Sequence, residues 1–334
     1  TGFRFGLSKT SPSPTSAQLF IKGILWYNRS MKTHAIIPIF IPHYGCPNDC
    51  VFCNQKIITA RSAAPNQASV NKRIRQYLPT LCDRGIETVE VAFFGGSFTG
   101  IPLTEQNVYL DVARRYKISG EIDKIRISTR PDYIDEKVLS NLKIHDVDII
   151  ELGVQSFDSR VLSLSKRGHT VEDVYQACKL IRECDFQLGI QLMIGLPGDT
   201  REKSIDSARK TVALSPKYAR LYPTVILEHT ELAELYAAGK YLPFSHETML
   251  ETTKEMYGIL FEAGITILRV GLKSTDLVTA GADLGGGYHP AFRQLVEGEI
   301  IKEKMLSILE SLSPDTKTVT FFSNRRWFSA MIGH

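Results

Sequence analysis

Seven apolar runs, each followed by a segment of helical period, constrain this chain most. They are Ala35–Ile41, Thr88–Phe94, Lys124–Thr129, Asp148–Val154, Gln187–Ile194, Arg220–Leu227 and Ile265–Val270. They are rich in Ile, Val and Phe and nearly continuous rather than alternating, which predicts parallel strands buried on both faces. Pro38 cannot donate to a ladder, so the first run belongs at a strand edge or start. Between the runs one helical face recurs, at Val171, Val174, Cys178 and Ile181, and again at Ile205, Ala208 and Val212. Repeated strand-then-helix units imply a parallel sheet with right-handed crossovers. The expected fold class is therefore α/β, an open or closed β/α barrel. A doubly wound sheet is the alternative that periodicity alone leaves open.

The organisation follows. Residues 34–271 are expected to form the barrel core, with residues 1–33 an N-terminal extension. Residues 272–334 are expected as a C-terminal α/β extension with a Gly-rich stretch at Gly281 to Gly287, a helix from Pro290 to about Glu310 and a strand at Thr318–Phe322. The chain begins with Thr, its first Met is Met31, and no acidic residue precedes Asp49. A basic, acid-poor start fits a targeting segment, but a translated upstream stretch with the natural start at Met31 is the expected reading. The apolar end from Ala330 to His334 has no helix stop signal, so a truncated C-terminus is expected.

Composition narrows the class. Of 334 residues, 43% are hydrophobic and 23% charged, which excludes wholesale disorder, collagen and a disulfide-dense miniprotein. Lys and Arg number 40 against 36 Asp and Glu, a balance that permits a nucleic-acid partner without requiring one. No apolar run reaches the ~18 residues of a membrane span. Three of the six cysteines fall between Cys46 and Cys53, which reads as metal or redox chemistry in a reducing, cytoplasmic setting.

Polar punctuation falls just after the strand runs: the cysteine loop, Gly95-Gly96-Ser97, Ser128-Thr129-Arg130, Gln155-Ser156, Gly195-Leu196-Pro197-Gly198-Asp199 and Tyr222-Pro223-Thr224. In a β/α barrel all these loops share the C-terminal face, where active sites lie.

Cys46, Cys50 and Cys53 form C-x3-C-x2-C. Three thiolates on a short loop can hold three irons of a [4Fe–4S] cluster and leave the fourth iron open. Structural zinc wants four ligands, and His43 could complete a Cys3His set, so zinc stays the alternative. Cys82, Cys178 and Cys184 are expected in the core, Cys82 and Cys178 on inner helix faces.

With the aromatic Phe52 before its third cysteine, this loop resembles the signature of the radical S-adenosylmethionine (radical SAM) enzymes. Phe94-Gly95-Gly96-Ser97-Phe98-Thr99, Ser128 to Ile134, Glu151 to Ser156, Arg167-Gly168-His169-Thr170, Gly195 to Thr200, Arg220 to Thr224 and Leu268 to Leu272 extend the match. Together they resemble the radical domain of the elongator complex catalytic subunit and its shorter bacterial relatives. The resemblance covers about residues 35 to 300 and implies a partial TIM-type barrel. It implies that Cys46, Cys50 and Cys53 ligate a [4Fe–4S] cluster and that S-adenosylmethionine binds the open iron. Phe52 would lie near the adenine, and the Gly95-Gly96-Ser97 turn would meet the cofactor's amino group. Gln155 and Arg167 would reach its ribose and carboxylate, with Ser128 and Gln191 in the same pocket. The family often has Glu where this chain has Ser97. The elongator subunit also carries an acetyltransferase domain, which is not expected within these 334 residues.

The implied activity is reductive cleavage of S-adenosylmethionine to a 5′-deoxyadenosyl radical, with tRNA uridine as substrate and a one-electron donor such as flavodoxin or ferredoxin. The basic clusters Arg114-Arg115-Tyr116-Lys117, Lys166-Arg167 and Arg325-Arg326 suit a tRNA surface or a solvated charged face equally. Tyr44, His169, Tyr222 and Lys273 lie near loop ends and are read as packing or surface residues. The alternatives are a radical enzyme acting on a small molecule such as a porphyrin precursor, and a non-catalytic iron–sulfur or zinc protein.

Overall fold

The computed structural model of the chain describes residues 16–20, 33–41, 45–46, 50–54, 65–272, 283–314, 316, 318–322 and 325–332. Its strands in chain order are β1 Ser16–Phe20, β2 His34–Ile41, β3 Thr88–Gly95, β4 Lys124–Thr129, β5 Ile149–Gln155, β6 Gln187–Ile194, β7 Tyr218–Pro223, β8 Val225–Leu227, β9 Thr266–Val270, β10 Asp283–Gly286 and β11 Thr318–Phe322. The described residues fall into two compact units, one from 33 to 292, the other joining β1 to residues from 293 onward. In the second unit β1 pairs with β11 in parallel register, Ser16 opposite Thr318.

In the first unit seven parallel strands run in the order β2-β3-β4-β5-β6-β7-β9. Strand follows strand with a helix between, and the two ends of the sheet do not pair. This is an open β/α half-barrel, and it settles the choice against a doubly wound sheet. β2 is an edge strand, as Pro38 demands, with Pro38 opposite Ala92 of β3. The expected run Arg220–Leu227 divides at Thr224: Pro223 ends β7, and β8 pairs antiparallel with β10.

One face of each strand packs outward against helices. Val91, Phe93, Ile125, Ile127, Ile150, Leu152, Ile190 and Leu192 on that face are buried. Helices start at side-chain caps immediately after the strand-end loops. Asp135 accepts from Val138 N–H, Asp158 from Val161 N–H and Thr200 from Lys203 N–H. Thr170 and Asp173 form a reciprocal capping box.

Cys178 is buried, as expected, but Cys82 is exposed and Cys184 half-buried. The helix Gln67–Tyr77 tightens into a 3-10 turn at Leu78–Leu81, which ends the α-helical face before Cys82.

Candidate functional site

The cysteine loop follows β2 and is fastened at several points. Gly45 and Gly100 press backbone to backbone. A Cβ on Gly45 would lie 2.1 Å from the Ser97 carbonyl oxygen, and one on Gly100 would lie 2.2 Å from that of Gly45. Gly45 also has φ +76°, so only glycine fits there. On the far side, Val51 N–H donates to Ser165 O at 3.3 Å and Val51 O accepts from Leu232 N–H at 2.8 Å. Val51 sits in an apolar cluster with Ile226, Leu232, Ala233 and Tyr241, and Phe52 packs against it. Cys53 N–H closes a turn onto Cys50 O at 2.9 Å.

Cys46 and Cys50 thereby lie beside two buried guanidinium groups. Arg167 is no surface-helix residue. It is buried after the helix Ser159–Leu164, its Nη1 donating to Cys50 Sγ at 3.1 Å and its Nη2 to Gly153 O at 2.6 Å. Arg130 is buried as well and forms a bidentate pair with Asp132 at 2.9 and 2.8 Å. Burial pushes the Cys46 thiol up, and nearby Cys50 adds to this. Arg167, a backbone hydrogen bond from Ser97 and Arg130 act in the opposite direction.

The Gly95-Gly96-Ser97 turn is largely engaged with protein. Gly96 N–H donates to Ile41 O at 2.6 Å. Ser97 Oγ lies 3.0 Å from Thr129 Oγ1 and accepts from Arg130 N–H at 3.2 Å, while Thr129 Oγ1 also contacts Thr99 Oγ1 at 2.6 Å. This hydroxyl cluster ties the loop after β3 to the loop after β4.

At the end of β5 a bulge between Gly153 and Gln155 puts Gln155 at φ +69°, which is strained for a side-chain-bearing residue. Gln155 caps no helix, since Asp158 holds that position. It is buried, and its Oε1 has no hydrogen-bond partner among the described residues. His169 is also buried. Its Nε2 lies 3.2 Å from Val154 O, and its Nδ1 has no partner among the described residues. Burial, then Arg167 and Arg130, push its pKa down to about 3, so the ring is neutral.

The inner faces of the strands carry a charged network that the apolar reading of the runs concealed. Arg126 on β4 donates to Glu90 on β3 at 2.5 and 3.2 Å and to Glu151 on β5 at 2.7 Å. Arg220 on β7 donates to the same Glu151 oxygen at 2.9 Å. Gln191 on β6 donates to the other Glu151 oxygen and to Ser128 Oγ at 3.1 Å. Ser128 and Gln191 are thus brought together by a hydrogen bond. Burial opposes ionisation of Glu90, but His34 and Arg126 outweigh it and hold the carboxylate below its ordinary range. Arg220 and Arg126 do the same for buried Glu151.

Among the sequence-predicted site residues, the structure brings together the Cys46 loop and the Ser97 turn, Cys50 and Arg167, and Gln191 and Ser128. Phe52 belongs to a separate apolar cluster. His43, Tyr44 and Lys273 lie outside the described residues, as do the side chains of Arg325 and Arg326. The other basic clusters are largely neutralised locally. Arg114 pairs with Asp146, Lys117 with Asp148 and Lys166 with Glu231. Arg130 was missed as a site residue, although its place directly after a strand end could have marked it.

The donor chemistry fits an anionic iron–sulfur cluster. Three thiols lie on one loop, and the charges buried beside them are guanidinium groups. Among the described residues no three His, Cys, Asp or Glu side chains converge to hold a single ion. A cluster distributes its thiolates over separate irons and needs no such convergence. No helix among the described residues is long and apolar enough to cross a membrane.

Several known proteins are similar to this chain. The tRNA uridine(34) acetyltransferase of Dehalococcoides mccartyi is 26% identical over 75% of this chain and 61% of its own length. Human elongator complex protein 3 is 24% identical over 70% of this chain and 50% of its own. The chain thus spans half to three-fifths of these curated relatives. The solved Methanocaldococcus infernus Elp3 lacking residues 1–46 shares the fold at a TM-score of 0.66 and 22% identity. That match covers 82% of this chain and 64% of that one. Residues 216–302 match the radical SAM C-terminal domain. Residues 40–211, more than half the chain, match the radical SAM superfamily, and the chain belongs to that superfamily of enzymes.

Proposed function

We propose that Cys46, Cys50 and Cys53 hold three irons of a [4Fe–4S] cluster and that S-adenosylmethionine binds the remaining iron, for radical modification of a tRNA uridine. Together the cluster and S-adenosylmethionine supply one-electron cleavage of the sulfur–C5′ bond, giving methionine and a 5′-deoxyadenosyl radical that takes a hydrogen atom from substrate. The single observation that carries this reading is the hydrogen bond from Arg167 to Cys50, which joins the cysteine loop to β5.

The chain's own residues hold and orient. Arg167 and Arg130 offset the negative charge of the thiolates. Gln155 Oε1 is a buried acceptor suited to a ribose hydroxyl. An ammonium group only donates, so the Gly95-Gly96 turn would meet it through carbonyl oxygens. Phe52 would border the adenine, with Ser97, Ser128 and Gln191 lining the pocket.

The tRNA uridine reading is supported by the names of the relatives from Dehalococcoides mccartyi and Methanocaldococcus infernus, both tRNA uridine(34) acetyltransferases. It does not rest on the basic clusters, in which Arg114, Lys117 and Lys166 pair with acidic side chains. An electron donor of the flavodoxin or ferredoxin class and a cytoplasmic setting complete the proposal.

The test is anaerobic. The full chain is reconstituted with iron and sulfide, given S-adenosylmethionine and dithionite, and 5′-deoxyadenosine is measured with Cys50→Ala as control. Product that vanishes in the control supports the radical reading. No product from a fully loaded protein refutes it. Binding of tRNA that weakens steeply with salt supports the nucleic-acid reading. Absent binding counts against it.

A further inference from the structure

Four buried guanidinium groups lie in this unit. Arg167 bridges Cys50 and Gly153, and among the three that pair with carboxylates Arg220 differs from Arg126 and Arg130. In a guanidinium, the Nε and Nη2 hydrogens share one edge, which matches a carboxylate in a bidentate pair. Arg130 uses that edge fully on Asp132, at 2.9 and 2.8 Å. Arg126 uses it fully on Glu90, at 2.5 and 3.2 Å, and sends Nη1 to Glu151 at 2.7 Å. Arg220 uses only half of it. Its Nε donates to Glu151 Oε2 at 2.9 Å, while Nη2 is buried with no hydrogen-bond partner among the described residues.

The Gln191 amide holds Glu151 Oε1, Arg126 shares Oε2 with Arg220 Nε, and Arg220 Nη2 bonds neither oxygen. Arg220 is 7% exposed, and its guanidinium reaches from β7 across the half-barrel to lie 4.8 Å from the Phe94 ring centroid on β3. Tyr222 lies beside the guanidinium and, like Glu151, favours its charged form. The head group is therefore locked in place. A buried donor left unmet at a rigid position calls for an outside acceptor.

The network also limits what that acceptor is. Glu90 and Glu151 balance Arg126 and Arg220, so the network has no surplus positive charge for an anion. A neutral carbonyl oxygen fits. We propose that Arg220 Nη2 donates to the C4 carbonyl of the substrate uracil and selects uracil over cytosine, which carries an amino donor at that position. This rests on the tRNA uridine reading above and names the residue that reads the base. Arg220 is the specificity residue, while Glu151 and Gln191 position it.

The test measures anaerobic binding of anticodon stem–loop RNA to the reconstituted full chain with S-adenosylmethionine present. One RNA carries uridine at position 34, one cytidine, and one a pyrimidin-2-one riboside that lacks the 4-oxo group. Wild-type protein is expected to favour uridine over both by about tenfold. Arg220→Lys keeps a cation against Glu151 but loses the fork, and its preference is expected to fall to about one while iron content per chain is maintained. The pyrimidin-2-one arm needs no variant, so the proposal stays testable if Arg220→Lys misfolds. An unchanged preference in Arg220→Lys would overturn the role of Arg220. Equal wild-type binding of all three RNAs would overturn the carbonyl contact and leave the tRNA reading standing. Binding of none would remove both, while the 5′-deoxyadenosine assay judges the radical reading separately.

Discussion

Arg167 bridges Cys50 and Gly153: one guanidinium nitrogen lies 3.1 Å from the cysteine sulfur, the other 2.6 Å from the glycine carbonyl oxygen. A residue on the loop after the helix Ser159–Leu164 thus couples the cysteine loop to the end of β5. A hydrogen bond of this kind, with a charged partner, is worth roughly 1.5–3 kcal/mol. Arg167→Gln is expected to reduce 5′-deoxyadenosine formation by about ten- to hundredfold. Arg167→Lys, which cannot bridge both partners, should fall between. Wild-type rates in Arg167→Gln would remove the bridge from the mechanism.

The Gly45–Gly100 contact makes a separate prediction. A methyl group on either glycine would collide with backbone at 2.1 or 2.2 Å. Gly100→Ala is expected to lift the cysteine loop off the Ser97 turn. Iron content after reconstitution should drop several-fold, while far-ultraviolet circular dichroism stays that of the wild type. Full iron loading of Gly100→Ala would show that the loop tolerates the displacement.

Breaking the buried charge network should destabilise the half-barrel. Glu151 accepts from Arg126, Arg220 and Gln191, and neutralising it leaves two buried cations short of a partner. Removing one partner of a buried pair costs roughly 3–5 kcal/mol. For a unit of this size that lowers Tm by about 6–20 °C. Differential scanning calorimetry of Glu151→Gln checks this, and a shift under about 2 °C would contradict it.

Acid should act on the same network. Glu90 and Glu151 are held below the ordinary carboxylate value of 4.5, so they bind protons more readily when unfolded. Their contribution is complete above about pH 4.5 and is lost as pH falls through the range below it. Urea titrations at stepped pH would show stability declining in that window. The decline should be smaller in a variant with both carboxylates replaced by Gln.

His169 gives a second window. Its folded pKa of about 3 lies below its ordinary 6.5, so protonation favours the unfolded chain. Its contribution is complete above about pH 6.5 and declines as pH falls below that, by up to about 1.4 kcal/mol per pH unit. Between pH 6.5 and 5, His169→Gln should show a shallower loss of stability than wild type. Identical slopes would mean that the ring is accessible to water in the folded state.

The sequence alone determined the seven strands of the parallel sheet, the α/β class, the edge position of Pro38's strand and the three cysteines. Each is a local matter: strand runs, a missing N–H and ligand spacing are visible in neighbouring residues. Only tertiary structure decided that the sheet stays open and that Arg167 reaches Cys50 across 117 positions of chain. It also decided that Glu90, Arg126, Glu151, Gln191 and Arg220 form one network. Their signal was present as a polar residue at alternate positions within apolar runs, such as Val89-Glu90-Val91 and Ile125-Arg126-Ile127. A single buried charge in a strand reads as an exception until the fold supplies its counter-ion. The pairing of opposite charges from different strands depends on sheet order and register, which no local pattern encodes.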